Sequence, residues 1–466
     1  MSQEYDLAVI GAGPGGYVAA IKAAQLGFKV ACIDKRSMPG GTCLNVGCIP
    51  SKALLTSSHK FHEAQEHFPN HGITADVKID IKKMLLRKEN VVTELTKGIG
   101  FLFKKNGVTF INGHAKIVSP HEIHVEGHGD ITAKNILIAT GSVSASLPGI
   151  DIDEEHIVSS TGALEFEKSP KHLVVIGGGY IGLELGSVWR RLGTSVTVVE
   201  FADRIVPMMD HEVGKAFQKS LESQGIVFRL NRKVINVVKQ GKEMALHVVP
   251  SDVTTSDMPE IITCDKVLVA AGRRPNTHGL GLENVGIMVD QRGFIQVNDH
   301  YQTQHPHIFA IGDVIPGPML AHKAEEEGVA VAEFLSGQAS HVNYEAIPAV
   351  VYTQPEVASV GITEEQAKEQ GQNYKVGKFP FLANSRAKSS GDTHGFVKII
   401  ADAKTDRVLG VHIIGEQAGN MIAEAALAME FRASSEDIAR TCHAHPTHSE
   451  ALKEAAMATF AKAIHI

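Results

Sequence analysis

Cysteine is scarce: the 466 residues include five, Cys32, Cys43, Cys48, Cys264 and Cys442. So low and odd a count argues against a disulfide framework, and in a reducing compartment a bridge is more often catalytic than structural. No apolar run approaches the roughly 18 residues that a membrane helix needs. Basic residues number 45 against 52 acidic ones, a net charge of −7. The basic face of a nucleic-acid binder is therefore not expected. The opening MSQEYDLAVIG enters a strand pattern at once, without the charged and then apolar regions of a secretory signal. Low-complexity segments are absent. These absences point to a cytoplasmic protein in a reducing compartment, with neither membrane nor nucleic acid as partner.

What is present suggests roughly three domains, at about 150 residues each. Strand and helix patterns alternate through about residue 330. YDLAVIGAG (5–13) and HLVVIGGG (172–179) read as buried strands running into glycines. YVAAIKAAQLG (17–27) and YIGLELGSVWRRLG (180–193) read as the helices that follow, and KVACID (29–34) and SVTVVE (195–200) as the next strands. The same βαβ unit thus occurs twice. After about residue 343 the character changes. AVVYTQPEVASVG (349–361), HGFVKIIAD (394–402) and VLGVHIIG (408–415) read as strands, and NMIAEAALAMEF (420–431) and SEALKEAAMATFAKAI (449–464) as helices. Residues 125–130 and 248–260 read as hairpin loops. The expected fold is α/β, with two Rossmann-like dinucleotide-binding domains and a C-terminal α+β domain.

GAGPGG places Gly11, Gly13 and Gly16 at GxGxxG spacing, with Asp34 23 residues after Gly11. GGGYIG places Gly177, Gly179 and Gly182 likewise, with Glu200 23 residues after Gly177. The first glycine permits the tight turn, the second lets backbone approach a pyrophosphate, and the third lets helix pack on strand. The helix N-terminus then favours the phosphate charge, and the closing acid accepts hydrogen bonds from ribose hydroxyls. One such motif is weak; two in full register carry the reading. A carboxylate at 200 repels a 2′-phosphate, and only Arg204 follows it in FADRIVP, so NAD(H) is favoured over NADP(H).

GGTCLNVGCIPSK (40–52) holds Cys43 and Cys48. Zinc would want further ligands nearby, and none are present. A structural bridge over so short a loop would add little stability. Redox chemistry and two inert buried thiols remain. In an unbroken helix, positions i and i+5 lie roughly 140° apart around the axis with Cα atoms about 8 Å distant. A disulfide needs less than about 7 Å. If these sulfurs bond, Cys43 must precede the helix or the helix must be distorted, for which Gly40, Gly41 and Gly47 give freedom. Two dinucleotide folds and one dithiol suggest a relay through a flavin, with FAD in the first fold and NAD(H) in the second.

GGTCLNVGCIPSKALL, the two fingerprints, ATGS (139–142), AAGRRPNT (270–277), FAIGDV (309–314) and CHAHPTHSEAL (442–452) together resemble the pyridine nucleotide–disulfide oxidoreductases, in their NAD-dependent, dihydrolipoamide-oxidising branch. The resemblance runs the length of the chain in order. It implies that Cys43 exchanges with a dithiol substrate and that Cys48 packs on the flavin. Lys52 would lie near the flavin and pair with Glu184. Asp34, Ala115, Thr140, Gly141, Ser142, Asp313 and Met319, Leu320, Ala321 and His322 would line the FAD site. Gly177, Gly179, Gly182, Glu184, Glu200, Val234 and Gly272 would form the NAD site. Residues 1–145 and 273–342 would bind FAD, 146–272 NAD, and 343–466 would form the interface of a homodimer. His445 and Glu450 would reach the disulfide from the partner copy.

The residues agree in kind with that last implication. Only a thiolate attacks a disulfide, and a dihydrolipoyl thiol is mostly protonated near neutrality. Histidine is the natural base, with a carboxylate to set its tautomer. Cys442, His443, His445 and His448 lie close together, but their spacing does not fit structural zinc patterns and no metal is expected. His448 departs from the family, where leucine is expected; it would sit at the site mouth or face solvent. The expected activity is oxidation of dihydrolipoyl groups with reduction of NAD⁺. The lipoyl arm would come from an acyltransferase or carrier protein of a 2-oxoacid dehydrogenase complex or the glycine cleavage system. A glutathione-type reductase is the rival, opposed by the lack of arginines after Glu200. Mercuric reductase is another, and no cysteine follows Cys442. A non-catalytic assembly subunit that keeps the fold is a third, opposed by the intact cysteines and the His445–Glu450 pair.

Overall fold

The two glycine-ended strand patterns become the centres of two parallel sheets. The computed structural model describes residues 4–253 and 258–466. In the first sheet, strand β1 (Glu4–Ile10) lies between the parallel strands Val30–Asp34 and Gly129–Ile138. Thr109–Asn112 extends one side and Ile308–Ala310 pairs with Gly129–Ile138, both parallel. An antiparallel hairpin, Ala115–Ser119 and Glu122–Val125, completes the other edge, and the expected loop at 125–130 joins it to Gly129–Ile138. Strands buried on both faces of the sheet read as continuous apolar runs, as in LAVI and ACI. Leu7, Ala8, Val9, Ala31 and Cys32 are fully buried.

The second sheet repeats the theme. Ile226–Arg229, Ser195–Val199, His172–Ile176, Lys266–Val269 and Ile157–Val158 are parallel in that order. Beside it, Arg232–Gln240, Glu243–Pro250 and Glu260–Cys264 form an antiparallel sheet. The expected loop at 248–260 falls between the last two, and its centre, 254–257, lies outside the described residues. The single tryptophan, Trp189, is fully buried and donates to the Ala163 carbonyl at 3.0 Å.

The C-terminal region is an antiparallel sheet in the order Ala349–Val351, Glu356–Gly361, Val408–Gly415, Phe396–Asp402, Tyr374–Pro380. AVVYTQPEVASVG is two strands rather than one, turned back on itself at Tyr352–Pro355, where Thr353 donates to the Pro355 carbonyl at 2.7 Å. The last helix runs only over Glu450–Met457. Two compact units emerge. One comprises 1–54, 80–145 and 272–342; the other comprises 55–79, 146–271 and 343–466. Among the described residues no helix is long and apolar enough to cross a membrane.

Within the second unit a buried lysine joins the parallel sheet's helices to the C-terminal sheet. Lys398, on Phe396–Asp402, lies 3.0 Å from Asp210, 3.4 Å from Glu212 and 2.7 Å from Glu364. Asp210 is fully buried and caps the helix His211–Ser223. Burial alone would raise the Asp210 pKa, but neighbouring His412 and Lys398 hold it below the usual range. Removing one partner of a buried pair leaves the other charge stranded. Lys398→Met is therefore expected to lower unfolding stability by about 3–5 kcal/mol in urea titration near neutral pH. Because the folded pKa of Asp210 is depressed, its contribution is present above the unfolded carboxylate pKa and is lost as pH falls through the folded value. The deficit of the variant shrinks in acid accordingly.

Candidate active site

The cysteine pair sits on a broken helix. Helix α1 (Pro14–Gln25) follows the first glycine turn, α2 (Gly41–Val46) carries Cys43, and α3 (Cys48–Glu66) begins at Cys48. Gly47 separates α2 from α3 with φ −140° and ψ −113°. A Cβ at Gly47 would lie 2.8 Å from the Thr42 carbonyl oxygen, so only glycine fits the break. The break lets the two sulfurs hydrogen-bond across five positions. The bond to Cys48 and then burial push the Cys43 thiol pKa well up; Glu325 adds to this and Lys52, one turn into α3, opposes it.

The dithiol is mounted on the first glycine turn. Gly41 has φ +56°, and a Cβ there would meet Gly13 Cα at 2.5 Å. The Gly40 N–H donates to the Ala12 carbonyl at 2.7 Å. Gly13 caps α1 without any side-chain bond, and a Cβ on it would meet nothing nearer than Gly41 Cα at 3.9 Å. Gly179 caps the helix Tyr180–Arg191 in the same way, with nothing within 4 Å. Both turns thus present uncapped helix N-terminal N–H groups beside open space, which fits a dinucleotide pyrophosphate. By contrast, a Cβ on Gly16 would lie 1.8 Å from the Gly11 oxygen, and on Gly182 2.4 Å from the Gly177 oxygen. These third glycines are packing positions.

The closing acids act first as clasps on their own turns. Asp34 accepts from Ala12 N at 2.7 Å and from Arg36 N at 2.9 Å. Glu200 accepts from Gly178 N at 2.5 Å and from Ala202 N at 2.7 Å. Arg204 lies 3.5 Å from Asp203, so the one cation after Glu200 has a carboxylate beside it. Glu184 is buried in Tyr180–Arg191 and accepts from Tyr352 N at 3.0 Å. Val234 sits at a bulge of Arg232–Gln240. Gly272 takes φ +115° and belongs to the first unit, not to the unit holding Gly177 and Glu200.

A second station lies within the first unit. Ser142 donates to Asp313 at 2.5 Å and accepts from Arg273 Nε at 2.7 Å. Thr140 donates to the Asn276 carbonyl at 2.8 Å, and Asn276 N–H donates to the Gly141 carbonyl at 2.9 Å. Gly312, beside Asp313, is gripped on both sides. Its N–H donates to Glu327 at 2.7 Å and its carbonyl accepts from Lys323 at 3.1 Å. Lys323 and Glu327 are themselves paired at 3.0 Å, both fully buried. Met319 and Leu320 lead into the helix Ala321–Leu335, whose N-cap, Leu320, offers no side-chain bond. His322 is in its first turn. Ala115 opens the edge hairpin opposite Val125.

In the second unit His445 Nδ1 meets Glu450 Oε1 at 2.9 Å, leaving Nε2 as the ring nitrogen available to move a proton. Thr447 N–H donates to the other Glu450 oxygen at 2.8 Å. Burial works to raise the Glu450 pKa, but Thr447 and His445 outweigh it and hold the carboxyl below its usual range. The neighbouring histidines each have an acid of their own: His443 meets Glu424 at 2.6 Å and His448 meets Glu416 at 3.3 Å. The Glu424 bond raises the His443 pKa. Among the described residues no three metal-competent side chains gather. His448 is buried, edge-on to Phe381, rather than facing solvent.

The sequence reading passed over Arg273, Asn276, Lys323, Glu327, Tyr17 and Glu325. Tyr17 donates to Glu325 at 3.3 Å, and both act electrostatically on or with Cys43. Tyr17 directly follows GAGPGG, which is the one local signal that places it near the first turn.

The profile of the pyridine nucleotide-disulphide oxidoreductase family matches residues 5–328, and that family's dimerisation domain matches residues 347–456. The chain belongs to this family. It is 59% identical over 470 positions to the mitochondrial dihydrolipoyl dehydrogenase of Pisum sativum, covering 100% of this chain and 93% of that one. It is 58% identical to the leghemoglobin reductase of Glycine max, covering 99% and 88%. Among solved structures it resembles LpdA of Mycobacterium tuberculosis, with a TM-score of 0.90, 27% identity and coverage of 97% and 99%.

The two classes of glycine should separate on substitution. Gly179→Ala is expected to leave thermal stability unchanged and to weaken NADH binding by about 1.5–3 kcal/mol, the scale of one hydrogen bond to a charged group. Gly182→Ala is expected to lower thermal stability, because the added methyl meets backbone. Calorimetric titration and thermal melts read the two effects.

Proposed function

We propose that this protein is a dihydrolipoyl dehydrogenase, a homodimeric flavoenzyme that oxidises dihydrolipoyl groups and reduces NAD⁺ to NADH. The observation that carries the reading is the Cys43–Cys48 sulfur contact across the break at Gly47, mounted by Gly41 on the first dinucleotide turn. The family membership and the pea relative support it.

The balance is simple. A dihydrolipoyl dithiol and NAD⁺ give a lipoyl disulfide, NADH and a proton. Cys43 is the thiol that attacks and is attacked by substrate sulfur, and Cys48 is its partner in the chain's own disulfide. FAD, when bound, would supply a two-electron carrier between the dithiol and NAD⁺. Asp34, Ala115, Thr140, Gly141, Ser142, Asp313 and the segment 319–322 would hold FAD, and Gly177–Glu184, Glu200 and Val234 would hold NAD. Lys52 opposes the rise of the Cys43 pKa and so favours its thiolate. His445 accepts the substrate thiol proton at Nε2, and Glu450 fixes the Nδ1–H tautomer and stabilises the imidazolium. We assign that pair to the dithiol of the second copy in the dimer. The match of 347–456 to the family's dimerisation domain supports a dimer. The lipoyl group arrives on an acyltransferase or carrier protein of a 2-oxoacid dehydrogenase complex or the glycine cleavage system. The compartment is one that keeps thiols reduced, either the cytoplasm or, as in the pea relative, the mitochondrion.

Purified protein mixed with dihydrolipoamide and NAD⁺ is expected to form NADH, followed by absorbance. No NADH, together with NADPH-dependent reduction of oxidised glutathione, would overturn the reading. Cys43→Ser is expected to lose dihydrolipoamide turnover by about a thousandfold or more while keeping its yellow cofactor.

A further inference from the structure

The loop that presents His445 is tied from outside itself by one buried amide. Glu450 holds His445 Nδ1 with one oxygen at 2.9 Å and accepts from Thr447 N–H with the other at 2.8 Å. Thr447 Oγ1 donates to the Ala444 carbonyl at 2.8 Å, closing the loop on itself. The Thr447 carbonyl accepts from Asn384 Nδ2 at 3.0 Å. Asn384 is 3% exposed and lies sixty-three residues away in sequence. Its other amide atom, Oδ1, accepts from Ala387 N at 3.0 Å and so caps the helix Ser385–Ser390. Its backbone N–H donates to the Phe381 carbonyl at 2.9 Å. Every polar atom of this side chain is committed, half to a helix end and half to Thr447.

We propose that Asn384 is a positioning residue for the proton transfer: by fixing the Thr447 backbone it sets where Glu450 holds the His445 ring. The inference rests on His445 acting as the base, as proposed above. The bland alternative is that Asn384 only caps its helix. The two separate cleanly, because asparagine, aspartate and serine cap helices about equally well. Aspartate keeps the cap but has no donor for Thr447 and sets a carboxylate oxygen against its carbonyl. Serine keeps the cap, and its short hydroxyl cannot span both partners. Both variants therefore retain the helix and lose the tie. Small displacements of a catalytic group are amplified in rate, since proton transfer needs close alignment.

The test uses the flavin-loaded dimer. Asn384→Ser and Asn384→Asp are expected to lower kcat for dihydrolipoamide oxidation by about 10–100-fold, with KM little changed. NADH-to-ferricyanide electron transfer, which abstracts no thiol proton, is expected to stay within about twofold, as a readout of the intact flavin site. Adding Asn384→Ser to Glu450→Gln is expected to cost no more than about threefold further, because the two act through one chain of bonds. A kcat within twofold of wild type in both variants, fully multiplicative losses in the double variant, or a parallel fall of both activities with thermal stability would overturn the positioning role alone. A wild-type protein inactive on dihydrolipoamide would overturn it together with the proposed function.

Discussion

Two sulfurs five residues apart meet only where the helix between them fails. Gly47 supplies that failure, and the Thr42 carbonyl at 2.8 Å from any added Cβ keeps the position glycine. Much else follows from this local fact. The contact, with burial, raises the Cys43 pKa, and a nearby positive charge or a base works against that rise. Lys52 in the next turn is the charge in the same unit. The His445–Glu450 pair, held by Thr447, has the chemistry of the base.

The same economy of buried contacts mounts the chemistry on the scaffold. Gly41 against Gly13 brings the cysteine helix onto the turn that opens toward a pyrophosphate, so one backbone-to-backbone approach serves both tasks. Lys323 and Glu327, wholly buried, grip the peptide groups of Gly312 and thereby present Asp313. Asn384 does for the Thr447 loop what that ion pair does for Gly312. Buried polar groups are costly unless fully partnered. At Gly312 and at Thr447 the partners of these buried side chains are loop backbone.

Much of this was legible from sequence, for physical reasons. Glycine spacing reports a turn whose geometry leaves no alternative, and apolar runs ending at those glycines report strands buried on both faces. The two dinucleotide folds and the cysteine break could be read because each is local. The clasps could not. Spacing marks Asp34 and Glu200 as ribose acceptors but does not show that each also closes its own turn. The sequence leaves His448 at the site mouth or facing solvent; solvent is excluded because it is buried against Glu416 and Phe381, which lie far off in the chain. Lys398 with Asp210, and Asn384 with Thr447, join residues with no shared period or spacing. AVVYTQPEVASVG has the apolar content of one strand, and only the pairing of Ala349–Val351 with Glu356–Gly361 shows that it folds back.

The central claim is that Cys43 and Cys48 pass between dithiol and disulfide. Thiol titration of the denatured protein, followed by peptide mapping, tests it directly. Five free thiols are expected after reduction by dihydrolipoamide, matching the five cysteines. Three are expected after oxidation, five less the pair, with the missing two mapped to Cys43 and Cys48. Five free thiols in both states, or a bond mapped to any other cysteine, would contradict the account.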